Sequence, residues 1–105
     1  MGKEKFKQQI KNFLTNLSKD FKIKKIILFG SRAKGNYKNE SDFDLIIVSD
    51  DFEGINFLER VAKVYDYWDL DMPVDFLCYT SKEFNKISKM VTIVKEALKT
   101  GIIIK

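Results

Sequence analysis

Gly30-Ser31-Arg32-Ala33-Lys34-Gly35, followed after five residues by Ser41-Asp42-Phe43-Asp44-Leu45, is the stretch of this sequence that decides its fold. The first run is a small-residue turn that can surround phosphate groups. The second run carries two carboxylates, two residues apart, that can bind a divalent metal. Apolar residues typical of strands flank the stretch at 26–29 and 45–48. The sequence therefore predicts a phosphate site and a metal site at the same end of two neighbouring strands.

The rest of the chain alternates between helical and strand periodicities. Apolar residues at spacings of three and four predict a helix over residues 4–20, and β-branched and aromatic runs predict strands over 23–29, 44–49 and 74–79. Residues 30–43 are predicted to be turn and loop. A second amphipathic helix is indicated by a series of apolar residues: Ile55, Leu58, Val61, Ala62, Tyr65 and Trp68.

A third helix is predicted from the spacing of Thr80 and Glu83, which is that of a capping box, and Gly101 is a suitable stop. Residues 102–104 are predicted to form a short edge strand or a docking tail. This order of elements predicts an α/β (α+β) fold, in which helices cover a small mixed β-sheet in two layers.

Size and composition limit the class of protein. The 105 residues are enough for one domain over 1–105, and no run approaches the ~18 apolar residues of a membrane span. A charged N-terminus, the lone Cys78 and the absence of histidine are typical of a cytoplasmic protein without disulfides, His-based catalysis or His-bound zinc. We expect Cys78 to be buried in its strand.

Charge is distributed unevenly along the chain, although the net charge is only +4. Residues 1–39 carry 11 basic and 2 acidic side chains, residues 40–76 carry 2 and 11, and residues 77–105 carry 6 and 2. The basic flanks could meet phosphate or an acidic partner, but a lysine-rich solvated surface is the simpler interpretation. Only two arginines and no interleaved aromatics are present, so direct nucleic-acid binding is not expected.

Asp75 is the third candidate carboxylate. In extended chain, Asp42 and Asp44 lie on one face, and Asp75 projects opposite its apolar neighbours Val74 and Phe76. If the third strand lies beside the second, all three carboxylates converge. An unpaired buried carboxylate is costly, so Asp75 is explained by a metal or by a lysine partner. Tyr65, Tyr67 and Trp68 are interpreted as core and rim aromatics rather than a base-stacking platform.

Together, the Gly-Ser turn, the Asp-x-Asp pair, the later Asp75 and the ending at 96–104 resemble the minimal nucleotidyltransferases of the DNA polymerase beta superfamily. The resemblance covers nearly the whole chain and implies the polymerase beta-like nucleotidyltransferase fold. It implies that Asp42 and Asp44 bridge two Mg²⁺ ions. It also implies that Asp75 completes the catalytic metal site and helps to deprotonate the acceptor.

For the nucleotide, the resemblance implies that Gly30 and Ser31 contact the β- and γ-phosphates of ATP. Arg32 or Lys34 could neutralise the triphosphate, an assignment that varies within the family. Stand-alone members of this kind typically pair with a small helical HEPN-type protein as antitoxin and toxin. In some pairs AMP is transferred to a tyrosine of the partner. The alternatives are a binding-only antitoxin and nucleotidylation of a small molecule or an RNA end. A homodimer or a heteromer is compatible with the apolar tail.

Overall fold

The computed structural model describes residues 2–29, 43–69, 74–90 and 101–105. The elements in chain order are α1 (Gly2–Leu17), β1 (Lys25–Phe29), β2 (Phe43–Val48), α2 (Phe57–Tyr65), β3 (Val74–Tyr79), α3 (Ser81–Met90) and β4 (Ile102–Ile103). A single 3₁₀ turn, Asp50–Phe52, follows β2.

The four strands form one mixed sheet in the order β3-β2-β1-β4. β1 runs antiparallel to β2 and to β4, whereas β2 and β3 are parallel. A parallel pair needs a crossover, and α2 provides it between β2 and β3. The predicted small mixed sheet covered by helices is confirmed, and β4 shows that the apolar tail adds an edge strand.

Alternation along the strands divides the apolar core between the two faces of the sheet. On one face, Ile26, Leu45 and Phe76 belong to a cluster with Phe13 of α1 and Val64 of α2. On the other face, the buried core residues are Ile27, Ile46, Val48 and Phe84. Phe84 lies in α3, so helices cover both faces of the sheet and the described part of the chain has three layers instead of the predicted two.

The α2 helix differs from its predicted orientation. It begins after Asn56, whose side chain accepts a hydrogen bond from the Glu59 amide at 2.9 Å. Leu58, predicted to be buried, is 81% exposed, whereas Arg60 and Val64 are buried. The apolar spacing correctly located the helix and the inward position of Val61, but it did not predict the exposure of Leu58 or the burial of Arg60.

The capping box at the start of α3 is confirmed. The Thr80 amide donates to Glu83 Oε1 at 2.9 Å, and the Glu83 amide donates to Thr80 Oγ1 at 3.2 Å. The helix is described as far as Met90, and its predicted continuation through 91–100 lies outside the described residues. Among the described helices, none combines the length and apolar character that crossing a lipid bilayer requires.

Candidate functional site

Asp44 and Asp75 lie side by side on the two parallel strands. Asp44 is the second residue of β2, Asp75 is the second residue of β3, and the register makes them direct partners. Neighbouring strands are about 4.8 Å apart, so the two Cα atoms are at about that separation. The condition for the convergence of Asp44 and Asp75, that β3 lies beside β2, is therefore met.

Both carboxylates project from the same face of the sheet. Asp44 shares its face with Ile46 and Val48, and Asp75 shares its face with Leu77 and Tyr79, because side chains alternate with a period of two. This is the face that Phe84 of α3 covers further along the strands. Asp44 is half-buried and Asp75 is exposed. The site therefore opens to solvent beside a buried core.

The exposure of Asp75 corrects one step of the sequence argument. A buried carboxylate would need a metal or a lysine to offset its burial, but the Asp75 side chain is exposed, whereas Leu77 and Tyr79 on the same face are half-buried. Within the described ranges, the Asp75 side chain forms no ion pair and no hydrogen bond. Its position beside Asp44, rather than burial, is what marks it as a candidate ligand.

Two neighbouring carboxylates repel each other and are stabilised by a cation between them. Carboxylate oxygens are the ligands that Mg²⁺ prefers, so the donor chemistry of this pair fits such an ion. No group of three His, Cys, Asp or Glu side chains suited to a metal lies among residues 2–29, 43–69, 74–90 and 101–105. Asp42, the remaining predicted ligand, lies outside these ranges.

The predicted phosphate residues Gly30, Ser31, Arg32 and Lys34 also lie outside the described residues. What the structure does describe is the strand that precedes them. β1 ends at Phe29, whose register partner on β2 is Asp44. The chain therefore leaves β1 at the end of the sheet where Asp44 and Asp75 lie.

Arg60 is a buried residue near the other end of β3, away from Asp44 and Asp75, that the sequence pattern did not reveal. Its guanidinium donates to the Cys78 carbonyl at 3.1 Å and to Glu83 at 2.6 and 3.2 Å, and its Nε donates to the Ile55 carbonyl at 2.7 Å. These bonds join α2, β3 and α3. The only local sign of its burial is that apolar Val61 and Val64 follow it. Its partners Cys78 and Glu83 are 18 and 23 residues away, so the sequence pattern does not identify them.

The single cysteine takes no part in the site. Cys78 is buried on the opposite face of β3 from Asp75, as predicted. Burial raises the pKa of its thiol to about 12. A thiol that stays protonated at neutral pH is a poor nucleophile and a poor metal ligand.

A family model described as a nucleotidyltransferase domain matches residues 10–104. Among curated proteins, MntA of Haemophilus influenzae, named by inference as a protein adenylyltransferase, is 35% identical over 96 residues. These residues are 87% of this chain and 80% of MntA. MJ0604 of Methanocaldococcus jannaschii, named in the same way, is 53% identical over 47 residues. That match covers 42% of this chain and spans about half, 47%, of that relative's length.

Among solved structures, a toxin–antitoxin complex crystallised with AMP-PNP contains a chain that superimposes with a TM-score of 0.60. The overlay covers 94% of this chain and 72% of that chain, at 22% sequence identity. At this level of identity the likeness shows a shared fold.

Proposed function

Since this chain belongs to the nucleotidyltransferase domain family, we propose that it transfers AMP from ATP to a hydroxyl group of a partner protein. The observation that carries the proposal is the register of Asp44 against Asp75 at the end of the sheet where β1 ends. The relatives named as protein adenylyltransferases support ATP as donor and a protein as acceptor.

In this proposal, Asp42, Asp44 and Asp75 are the residues that would hold Mg²⁺. Bound Mg²⁺ supplies charge neutralisation of the phosphates and a more acidic acceptor hydroxyl. Exposed Asp75 beside half-buried Asp44 suits these roles, because substrate and solvent must reach the pair. Gly30 and Ser31 hold the β- and γ-phosphates, and Arg32 or Lys34 offsets their charge.

The reaction is a displacement at the α-phosphorus of ATP. The acceptor oxygen forms a bond to that phosphorus while the bond to the bridging oxygen of the β-phosphate breaks. Pyrophosphate leaves with the electron pair, and the acceptor proton passes to the Asp75 carboxylate and then to solvent. Asp75 is the residue for this step because it is the exposed member of the pair.

The acceptor we propose is a tyrosine hydroxyl of a small helical HEPN-type toxin, with this chain as its cytoplasmic antitoxin. The toxin–antitoxin structure with AMP-PNP, which shares the fold, supports a partner protein and a nucleotide. The direct test of the partner is co-expression with a neighbouring HEPN-type protein, followed by intact-mass measurement. Neither a complex nor an added nucleotidyl mass would refute this acceptor.

Calorimetric titration of ATP with and without Mg²⁺ tests the site itself. We expect Mg²⁺-dependent binding by wild type and its loss in Asp42→Asn/Asp44→Asn. The matched control is Glu53→Gln/Glu59→Gln, which removes the same charge at two exposed positions outside the four strands. Equal binding by both double variants would overturn the assignment.

A contact-only antitoxin is distinguished by neutralisation. If the triple variant Asp42→Asn/Asp44→Asn/Asp75→Asn protects cells from the partner as well as wild type does, catalysis is not what neutralises it. Labelled ATP with small-molecule and RNA acceptors separates protein modification from the third alternative.

A further inference from the structure

β3 lies at the edge of the sheet, so no described strand pairs with its outer side. Two of its carbonyls, those of Val74 and Cys78, instead accept hydrogen bonds from side chains of α2. Residues four apart in a strand direct their carbonyls to the same side. Arg60 donates to the Cys78 carbonyl at 3.1 Å, and the Tyr65 hydroxyl donates to the Val74 carbonyl at 2.7 Å.

Tyr65 contacts the residues on both sides of Asp75. Its hydroxyl donates to the Val74 carbonyl, and its ring packs edge-on against Phe76, with centroids 5.2 Å apart and planes at 83°. Val74 and Phe76 are 4% and 3% exposed, and Asp75 projects to the other face between them. The tyrosine therefore holds the strand from the face opposite to the carboxylate.

We propose that Tyr65 is a positioning residue that fixes the direction of the Asp75 carboxylate for metal and acceptor binding. The Val74 carbonyl belongs to the peptide group that continues into the Asp75 nitrogen. The hydroxyl bond restrains the peptide before Asp75 and the ring contact restrains Phe76 after it, so together they limit the direction of the Asp75 Cα–Cβ bond. The inference rests on the proposed function, since it assigns the carboxylate a task that requires a fixed direction.

Position in the strand makes this support necessary. Val74 is the first residue of β3, and the ends of strands fray more readily than their centres. The Asp75 side chain has no hydrogen bond to any described residue, so its direction depends on the backbone that carries it. A catalytic carboxylate displaced by about 1 Å can lose about 100-fold in rate.

Tyr65→Phe tests the proposal, because it removes the hydroxyl and leaves the ring on Phe76. The matched control is Tyr67→Phe. The Tyr67 hydroxyl donates to Asp20, which follows α1. The same chemical change therefore removes a hydrogen bond that does not involve β3. The third arm is Asp75→Asn.

Three quantities are measured on each variant: thermal unfolding, the Mg²⁺ concentration that half-saturates binding of AMP-PNP, and the ¹³C shift of the Val74 carbonyl without metal. For Tyr65→Phe we expect a shifted Val74 carbonyl and a Mg²⁺ requirement raised by about fivefold, the effect of one neutral hydrogen bond. For Tyr67→Phe we expect a lower Tm with an unchanged Mg²⁺ requirement.

The outcomes separate the two proposals. If Asp75→Asn abolishes Mg²⁺-dependent binding while Tyr65→Phe matches wild type in Mg²⁺ requirement, the Tyr65 proposal is overturned and the proposed function stands. If Asp75→Asn binds like wild type, the assignment of Asp75 itself fails. An equal rise in Mg²⁺ requirement for Tyr65→Phe and Tyr67→Phe would reduce Tyr65 to a general contributor to stability.

Discussion

The carboxylates at the two ends of the β2–β3 pair differ in their neighbours: another carboxylate at one end, and basic side chains at the other. Where the strands begin, Asp44 and Asp75 are neighbours of like charge, and the Asp75 side chain has no hydrogen-bond partner in the described part of the chain. Where they end, Asp50 pairs with Lys24 at 2.8 Å and accepts from the Ser81 amide at 2.8 Å, while Glu83 pairs with Arg60. The end where the strands begin (the first end) places two carboxylates side by side, whereas at the other end (the second end) the carboxylates form bonds that join neighbouring elements.

The pKa directions follow the same division. The hydrogen bond from Lys24 lowers the pKa of Asp50, and the hydrogen bond from Arg60 lowers the pKa of Glu83. Both acids are held in their charged form by internal partners. Substitutions at the two ends should therefore separate function from stability.

Asp75→Asn should have the largest effect of all, on transfer activity. We expect a loss of about 1000-fold or more, because the variant removes a proposed metal ligand and proton acceptor. Asp50→Asn is the matched change at the other end, and it should lower Tm while retaining activity. Assays with labelled ATP and thermal melts of both variants check this contrast. Equal activity losses would show that the two ends are not functionally distinct.

Arg60→Ala should have the largest effect on stability. It removes a buried guanidinium with four hydrogen bonds and leaves two carbonyls and Glu83 without their donor. The Glu83 side chain is 41% exposed and can be rehydrated, so we expect a loss of about 2–4 kcal/mol. Urea unfolding measures it, and Lys63→Ala, an exposed cation on the same helix, is the control. A loss equal to that of the control would contradict the structural role of Arg60.

Acid should reduce the contribution of the Glu83–Arg60 pair to the stability of the fold. The Glu83 pKa is below its ordinary value of 4.5 in the folded chain, so its stabilisation is complete above about pH 4.5 and declines as pH falls through the folded pKa. Glu83→Gln keeps an oxygen for the Thr80 amide but removes the charge that Arg60 meets. We expect it to be less stable than wild type by about 0.5–1 kcal/mol at pH 7.

Urea unfolding of both proteins at several pH values checks this. The gap should narrow on acidification below pH 4.5, and Asp50, which is common to both, cancels in the difference. A gap independent of pH would mean that shape rather than charge at residue 83 supports the fold.

These contrasts also show which parts of the molecule the sequence could predict. The alternation around Asp75 and the capping box at Thr80 are local patterns, and both were confirmed in the structure. The spacing of apolar residues in α2 did not show that Arg60 is buried and Leu58 exposed. Arg60 is buried where it bonds Cys78 and Glu83, which lie 18 and 23 residues away. Leu58 is 81% exposed although it is apolar.

The smallest expected effect concerns the first end without metal. Because Asp75 is exposed and its described neighbour in register is another carboxylate, Asp75→Asn should relieve repulsion rather than remove a stabilising bond. We expect the metal-free Tm to be unchanged or to rise by less than about 3 °C. Saturating Mg²⁺ and AMP-PNP should then raise the Tm of wild type well above that of the variant, since a ligand stabilises only the folded form that binds it. A clear loss of metal-free stability would instead identify Asp75 as a structural carboxylate like Asp50. The proposed difference in role between the two ends of the β2–β3 pair would then be wrong.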